Sequence, residues 1–351
     1  MSTEDFLLSS ENLSTYLAAC GLVRRAEDIV VRELGGGVSN IVLLVESPAD
    51  AAPRWVVKQS LGKLRVQDDW RSDRERIFRE AEAIQGLRPV LGDAVPEVVH
   101  VDRHNHLYVM AAAPTGSVAW KEQLLGRRAD LAVAREAGTL LARIINASRA
   151  DPQFQEKFAD RTVFDQLRID PYYRTTAARH PDVASALGEL MADSWRIQTA
   201  LVHGDYSPKN MLVCGSKIFL IDFEVIHWGD PAFDAAFLLN HLLLKAFHQP
   251  RFAEMCGGLI CEFWQTLVTA LALAPRAEYR LPRAGDFERM TLRHLGGLML
   301  ARIDGKSPVE YIRDEVTKQS VRRVAKRILL GRLSNLEEAL DLALREMPDI
   351  V

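Results

Sequence analysis

Residues 202–234 read VHGDYSPKNMLVCGSKIFLIDFEVIHWGDPAFD, and they concentrate oxygen-bearing side chains at regular intervals. Asp205 and Asp222 lie at the ends of short apolar runs; Asn210 follows the first by five residues and Glu224 follows the second by two. A carboxylate at a strand or loop end is within reach of a hydroxyl and orients it for attack on a γ-phosphate. Asn210 offers a neutral oxygen and Asp222 an anionic one to magnesium, a hard cation that prefers oxygen and keeps several waters. Glu224 adds a second ligand or holds a metal-bound water. Each acid alone is an ordinary surface or capping group. Their order predicts phosphoryl transfer from ATP to a hydroxyl. Asp230, before a proline, is expected to cap the next helix. Asp234 is expected to hydrogen-bond to the loop of His203 and Asp205. These three, His203, Asp230 and Asp234, are structural supports.

Such groups need a phosphate cradle and a cation, and the upstream elements offer both. Two β-like runs, Ile29–Leu34 and Ile41–Glu46, are joined through Gly35-Gly36-Gly37-Val38-Ser39-Asn40. Glycines there let backbone N–H groups approach an anion, and Ser39 adds a hydroxyl. Gly36, Gly37, Ser39 and Asn40 are the expected phosphate-side residues. A triple glycine alone is more often a hairpin turn; Lys58, ending a third run at 55–59, changes that weighting. A strand lysine in this place reaches the α- and β-phosphates and is held by a helix glutamate. Ile77, Ala81 and Ile84 fall on one face of a helix expected over Asp73–Leu87. Glu80 on that helix is the first choice of partner, with Glu75 and Glu82 as alternatives. The strand pair Glu97–Asp102 and His106–Ala113 ends in an apolar stretch against which adenine would pack, with Met110, Ala111 and Ala113 as the contacts.

Residues 10–25 have the pattern of a leading amphipathic helix. From about residue 118 helical periods dominate, broken by β-like runs at 211–214 and 217–222. The pattern is α+β: a small β-rich N-terminal lobe, residues 1–114, and a larger, mainly helical C-terminal lobe, residues 115–351. That is the outline of a two-lobed protein-kinase-like fold.

With 351 residues, 48% hydrophobic and 26% charged, the chain has the composition of an ordinary globular protein. Its net charge of -3 gives no reason to expect nucleic acid. The four cysteines lack zinc-ligand spacing, and Cys256 and Cys261 are expected to be buried thiols. The N-terminal segment, interrupted by Glu4, Asp5 and Glu11, does not have the form of a signal peptide. The apolar stretch Phe233–Leu244 is too short and polar for a membrane span. A cytoplasmic monomer or homodimer, with no membrane partner, is the expectation.

His203-Gly204-Asp205 through Asn210, Ile221-Asp222-Phe223-Glu224, and Gly229-Asp230-Pro231 through Asp234 resemble the aminoglycoside phosphotransferase and choline kinase superfamily. The likeness spans roughly residues 28–320. It implies ATP with magnesium, and a small-molecule hydroxyl as acceptor. It matches Asp205 to the catalytic base, Asn210 and Asp222 to the metal ligands, and Lys58 to the phosphate-binding lysine. The stretch Val57-Lys58-Gln59-Ser60-Leu61, with Asp69-Trp70 and Asp73-Arg74, is similar to the methylthioribose kinase branch, which brings Trp70 near the active site. Asn210 and the Asp222-Phe223-Glu224 triplet look more like the aminoglycoside, homoserine and choline kinase branches, so the chain mixes two patterns.

The acceptor is expected to be a sugar, amino alcohol or hydroxy-acid metabolite, a methylthioribose-like sugar among them. Residues 301–318 show no excess of acid for a polycationic aminoglycoside, the alternative acceptor, and Arg302 is the residue expected to face the substrate. A protein kinase would need a long activation segment after Asp222, where Gly229-Asp230-Pro231 arrives instead. A silent nucleotide-binding module would usually lack the lysine, the base or a metal ligand, and candidates for all are present.

Overall fold

The computed structural model describes residues 6–35, 40–48, 53–62, 73–273, 284–331 and 333–348. The expected site residues Gly36, Gly37, Ser39 and Trp70 lie outside them. The chain divides into two compact units, one from 1–117 with 219–224, the other from 118–218 with 225–351. The division falls three residues past the expected boundary and assigns the Asp222 segment to the first unit.

The first unit is built on an antiparallel sheet of order β1-β2-β3-β5-β4: Val30–Glu33, Asn40–Glu46, Pro53–Ser60, Leu107–Ala111 and Val98–Asp102. Alternate residues point to opposite faces. Ile41, Leu43, Val45, Val57, Leu107 and Val109 bury one face against Leu13 and Leu17 of helix α1, Leu13–Ala19. Lys58 therefore faces the other way, paired across the sheet with Val42 and Tyr108. Helix α2, Arg76–Leu91, packs against β3, β4 and β5.

The leading helix is shorter than its periodicity predicts. It stops at Ala19, and Gly21 follows at φ 72°, a left-handed position that ends a helix and suits glycine. Gln59 then ties the strand to the preceding segment, accepting from the Leu8 N–H at 2.8 Å and donating to the Phe6 carbonyl at 2.8 Å.

The second unit is mainly helical. Its short strands β6, Val118–Ala119, and β8, Met211–Cys214, are paired, as are β7, Ala200–Val202, and β10, His227–Gly229. Strand β9, Lys217–Leu220, leads out of this unit into the Asp222 segment. Its main helices are Leu131–Ala150, Ala232–His248, Ala253–Ala272, Ala284–Asp304 and Glu315–Leu329, here numbered α3 to α7. Helix α5 packs on α3 and α4, α6 on α4, and α7 on α6. Pro250–Ala272 is the one stretch among the described residues long and apolar enough to cross a bilayer. Its Leu259, Ile260, Phe263 and Leu267 are buried along one face. Cys256 is buried there, but Cys261 is exposed, against expectation: the two are five residues apart and fall on different helix faces.

Candidate active site

In the first unit Lys58 lies between two carboxylates. Its Nζ donates to both oxygens of Glu80, at 2.7 and 2.8 Å, and to Asp222 Oδ1 at 2.9 Å. Glu80 is fully buried because it lies on the Ile77–Ile84 face of α2, where only a neutralised carboxylate is tolerated. Burial works to lower the Lys58 ammonium, but Asp222 and Glu80 outweigh it and hold the value well above normal. Burial in turn pushes Glu80 up to about 7, against the pull of Lys58. The two alternatives to Glu80 are engaged elsewhere: Glu75 lies 3.2 Å from His106, and Glu82 pairs with Arg103 at 2.9 Å.

Asp222 occupies the left-handed region at φ 71°. Aspartate tolerates this better than most residues, and such local strain concentrates where a side chain must be aimed. Its side chain is 20% exposed. The next N–H, of Phe223, donates to Glu80 Oε1 at 3.1 Å, so one buried glutamate fixes both the lysine and the Asp222 turn. Glu224 is drawn to Arg76: its Oε2 lies 3.3 Å from Arg76 Nε and accepts from Asn40 Nδ2 at 3.0 Å. Arg76 is fully buried and also donates to the carbonyls of Asp73 and Leu61, at 2.7 and 3.0 Å. The Asn40 side chain is thus part of an internal network. Met110 lies in β5 opposite Val56 and Val98, and the Ala111 N–H donates to the Glu97 carbonyl at 2.8 Å. Ala113 lies just past the end of β5.

In the second unit Asp205 follows β7 on a loop fastened from below. The backbone N–H groups of His203 and Gly204 donate to Asp234, at 2.6 and 2.9 Å. Burial pushes the Asp234 carboxyl up to about 7, against those two donors. Gly204 sits at φ 77°, and a Cβ there would meet the Val225 backbone oxygen at 2.7 Å. His203 Nδ1 accepts from the Asp205 N–H at 3.2 Å. Asp230 accepts from the Ala232 N–H at 3.0 Å at the start of α4, and its other oxygen lies 3.3 Å from His294 Nε2.

The Asp205 side chain is 11% exposed. Arg168 Nη2 lies 3.0 Å from Oδ2 and Lys209 Nζ 3.3 Å from it. Burial works to raise this carboxyl, but Lys209, Arg168 and the nearby His203 and His241 outweigh it and hold it far below the usual carboxylate range. Asp205 is therefore held as an anion, suited to accept a hydrogen bond from a hydroxyl. Arg168, on a π-helical segment Asp165–Arg174, also donates to the Gly204 carbonyl at 2.6 Å. Asn210 Nδ2 donates to the Asp205 carbonyl at 3.0 Å. That contact commits its nitrogen and leaves Oδ1 as the acceptor, as a neutral ligand to a hard cation requires. In the first unit the partly exposed Asp222 carboxylate is an oxygen donor of the anionic kind that a hard cation takes. Among the described residues no three His, Cys, Asp or Glu side chains form a metal cage.

Arg302, the residue expected to face the substrate, is held in part by its own loop. Its Nη1 donates to Ser307 O and Oγ, at 2.5 and 2.9 Å, and to Tyr172 Oη at 3.2 Å. It sits in the last turn of α6, where a cation also favours the helix carbonyl end, and it clasps the loop that follows.

Arg168 and Arg76 are site residues that sequence reasoning missed. Each lies far in sequence from the acid it serves, and each looks locally like a surface arginine of a helix.

Comparison with known proteins places these features. The chain is 26% identical over 272 residues to methylthioribose kinase 2 of Oryza sativa subsp. japonica, covering 70% of this chain and 63% of that protein. It thus spans less than two thirds of that relative's length. It is 25% identical to methylthioribose kinase of Escherichia coli, over 69% of this chain and 65% of that protein. It is 24% identical to 4-hydroxytryptamine kinase of Psilocybe cyanescens, over 71% and 75%. Its fold is similar to that of the ADP-bound aminoglycoside phosphotransferase APH(2'')-Ib, with a TM-score of 0.50, 15% identity, and 97% and 99% of the two chains covered. This is a protein-kinase-like α+β fold. The sequence profile of the phosphotransferase enzyme family (APH) matches residues 30–258, from β1 through the whole Asp205–Asp234 block, and the chain belongs to that family.

Proposed function

We propose that the protein is an ATP- and magnesium-dependent kinase that phosphorylates a hydroxyl of a small metabolite: a sugar, an amino alcohol or a hydroxy acid. The methylthioribose kinase relatives support a sugar of that type as one candidate. The observation that supports the reading is the Lys58–Glu80–Asp222 cluster, which holds on one frame a cation of the kind phosphates take and a carboxylate of the kind a metal takes.

Lys58 steadies the α- and β-phosphates. Asp222 supplies the anionic oxygen and Asn210 the neutral oxygen for magnesium, with Glu224 a further candidate. Magnesium, when bound, neutralises charge developing on the phosphate oxygens. The backbone past Met110 and Ala111, through Ala113, receives the adenine. Asp205 accepts a hydrogen bond from the acceptor hydroxyl and aligns its oxygen with the γ-phosphorus. The bond from that oxygen to phosphorus forms as the bond to the ADP oxygen breaks. The hydroxyl proton then passes to Asp205 and on to water, so no strong base is needed at the start.

A coupled ADP-release screen over sugars, methylthioribose, amino alcohols, homoserine and aminoglycosides tests this reading, with the phosphorylated product identified by mass. Magnesium-dependent transfer to at least one acceptor is expected. ATP binding without transfer to any of them would favour a silent nucleotide-binding module instead.

A further inference from the structure

One face of α4 carries Phe237, His241 and Lys245 at intervals of one turn. Arg168, the ion-pair partner of Asp205, lies over the Phe237 ring at 5.5 Å. The Phe237 and His241 ring centres are 5.3 Å apart. The face thus leads away from the Asp205 carboxylate, and Lys245 stands about 12 Å beyond Phe237 along the helix.

Lys245 is 1% exposed. Its Nζ donates to the His241 carbonyl at 3.3 Å and lies 5.4 Å from the Tyr311 ring centre. An ammonium has three donors, and neither contact neutralises its charge. The Cys256 thiol nearby is pushed up to about 12 by burial and supplies no anion. Glu310 is taken by Lys121 at 2.5 Å. Asp205 is matched by Arg168 and Lys209. Arg302, which also acts electrostatically on Lys245, bonds only to the neutral groups of Ser307 and Tyr172. Among the described residues, neither Lys245 nor Arg302 has a carboxylate partner. Arg302 Nε and Tyr311 Oη are in addition buried with no hydrogen-bond partner there.

A buried cation without an anion is costly, and burial pulls the Lys245 ammonium down to about 7. A bound anion would repay that cost. The larger cavity of about 540 Å³, lined by His180, Asp304, Glu315, Arg322 and Lys326, offers no such excess. There Asp304 and Glu315 face His180 and Arg322, Asp182 takes Lys326, and Arg179 donates to the carbonyls of Asp304 and Gly305, so acids match the cations in number.

We propose that Lys245, with Arg302 and Tyr311 beside it, receives a carboxylate of the acceptor whose hydroxyl Asp205 orients, so that the acceptor is a hydroxy acid or polyhydroxy acid. The proposal rests on the kinase reading above and narrows it. Cationic acceptors are disfavoured by the same charges.

The test compares matched triples in the full-length protein with magnesium and ATP: glycerate, glycerol and aminopropanediol; gluconate, glucitol and glucamine. Turnover is followed by ADP release, and acceptor binding by calorimetry with a non-hydrolysable ATP analogue. The acid of at least one triple is expected to exceed its alcohol and amine by about tenfold or more in kcat/KM or affinity. Lys245→Met, which keeps most of the apolar stem, is expected to erase that preference while nucleotide affinity stays unchanged. The wild-type preference decides the matter by itself if the variant fails to fold. Preference for an alcohol or amine, no response to any acid, or a preference that survives in a folded Lys245→Met overturns the carboxylate site. Transfer to an alcohol or amine alone does so while leaving the kinase reading intact. Absence of magnesium-dependent ATP binding rejects the kinase reading itself.

Discussion

Arg168 and Asp205 form a buried ion pair, Nη2 to Oδ2 at 3.0 Å, and the same guanidinium holds the Gly204 carbonyl at 2.6 Å. One side chain therefore fixes both the charge of the proposed catalytic carboxylate and the loop that carries it. Arg168 is a positioning residue.

Arg168→Met should leave Asp205 with Lys209 as its remaining ion-pair partner, at a cost below the roughly 3–5 kcal/mol of a buried charge left wholly unpaired. Turnover should fall by about a hundredfold through misplacement of the carboxylate. The depressed folded value of Asp205 contributes stability that is present above the ordinary carboxylate range and lost as pH falls through the folded value. Removing the arginine raises that value. Arg168→Lys, which keeps the charge, should restore part of kcat with ATP affinity unchanged in both variants. A folded Arg168→Lys no faster than Arg168→Met would count against the ion pair as the positioning element.

Glu80, and not its neighbours, should control the lysine. Glu80→Gln removes the anion that meets Lys58 at 2.7 Å and should weaken ATP binding by about tenfold or more, with some loss of thermal stability. Glu75→Gln and Glu82→Gln should bind ATP like the parent. Calorimetric titration of the three variants separates these outcomes, and equal affinities in all three would remove Glu80 from its role.

Asp222→Ala should abolish the magnesium dependence of nucleotide affinity. It should also place alanine at φ 71°, at a further cost of about 1–2 kcal/mol. Asp222→Asn tolerates that backbone better, and should lose the metal dependence with less loss of stability. Unchanged affinity with magnesium in both variants would count against Asp222 as a ligand.

Gly204→Ala should disrupt the catalytic loop even though it adds one methyl group. The new Cβ meets the Val225 oxygen at 2.7 Å, and the residue sits at φ 77°. The expected loss is about 2–4 kcal/mol from the two effects together. Denaturant titration measures it; a stability equal to the parent would show that the loop relaxes freely.

Much of the site was legible because its residues come in a fixed order along strands and loops. The Asp205–Asp234 block is contiguous, and Lys58 lies on a strand whose alternation sets its face. Glu80 emerged from three candidates because it shares the buried face of Ile77 and Ile84. Arg168 and Arg76 were not legible, since their partners lie in segments that only tertiary folding brings near. The bonds of Arg302 to Ser307 and Tyr172 were not legible, although its place at the end of α6 before Gly305 marks a residue suited to bind helix-end and loop carbonyls. The first helix was overextended because periodicity continues past Gly21, where backbone conformation ends it. Strand β10 is only three residues long, too short for alternation to register.

The central claim is that Asp205 orients the hydroxyl and has little part in holding ATP. Asp205→Asn, isosteric and uncharged, tests it most directly when single-turnover phosphotransfer and ATP affinity are measured on the same folded sample. Transfer should fall by about a thousandfold or more with magnesium–ATP affinity essentially unchanged. Normal turnover in that variant would contradict it.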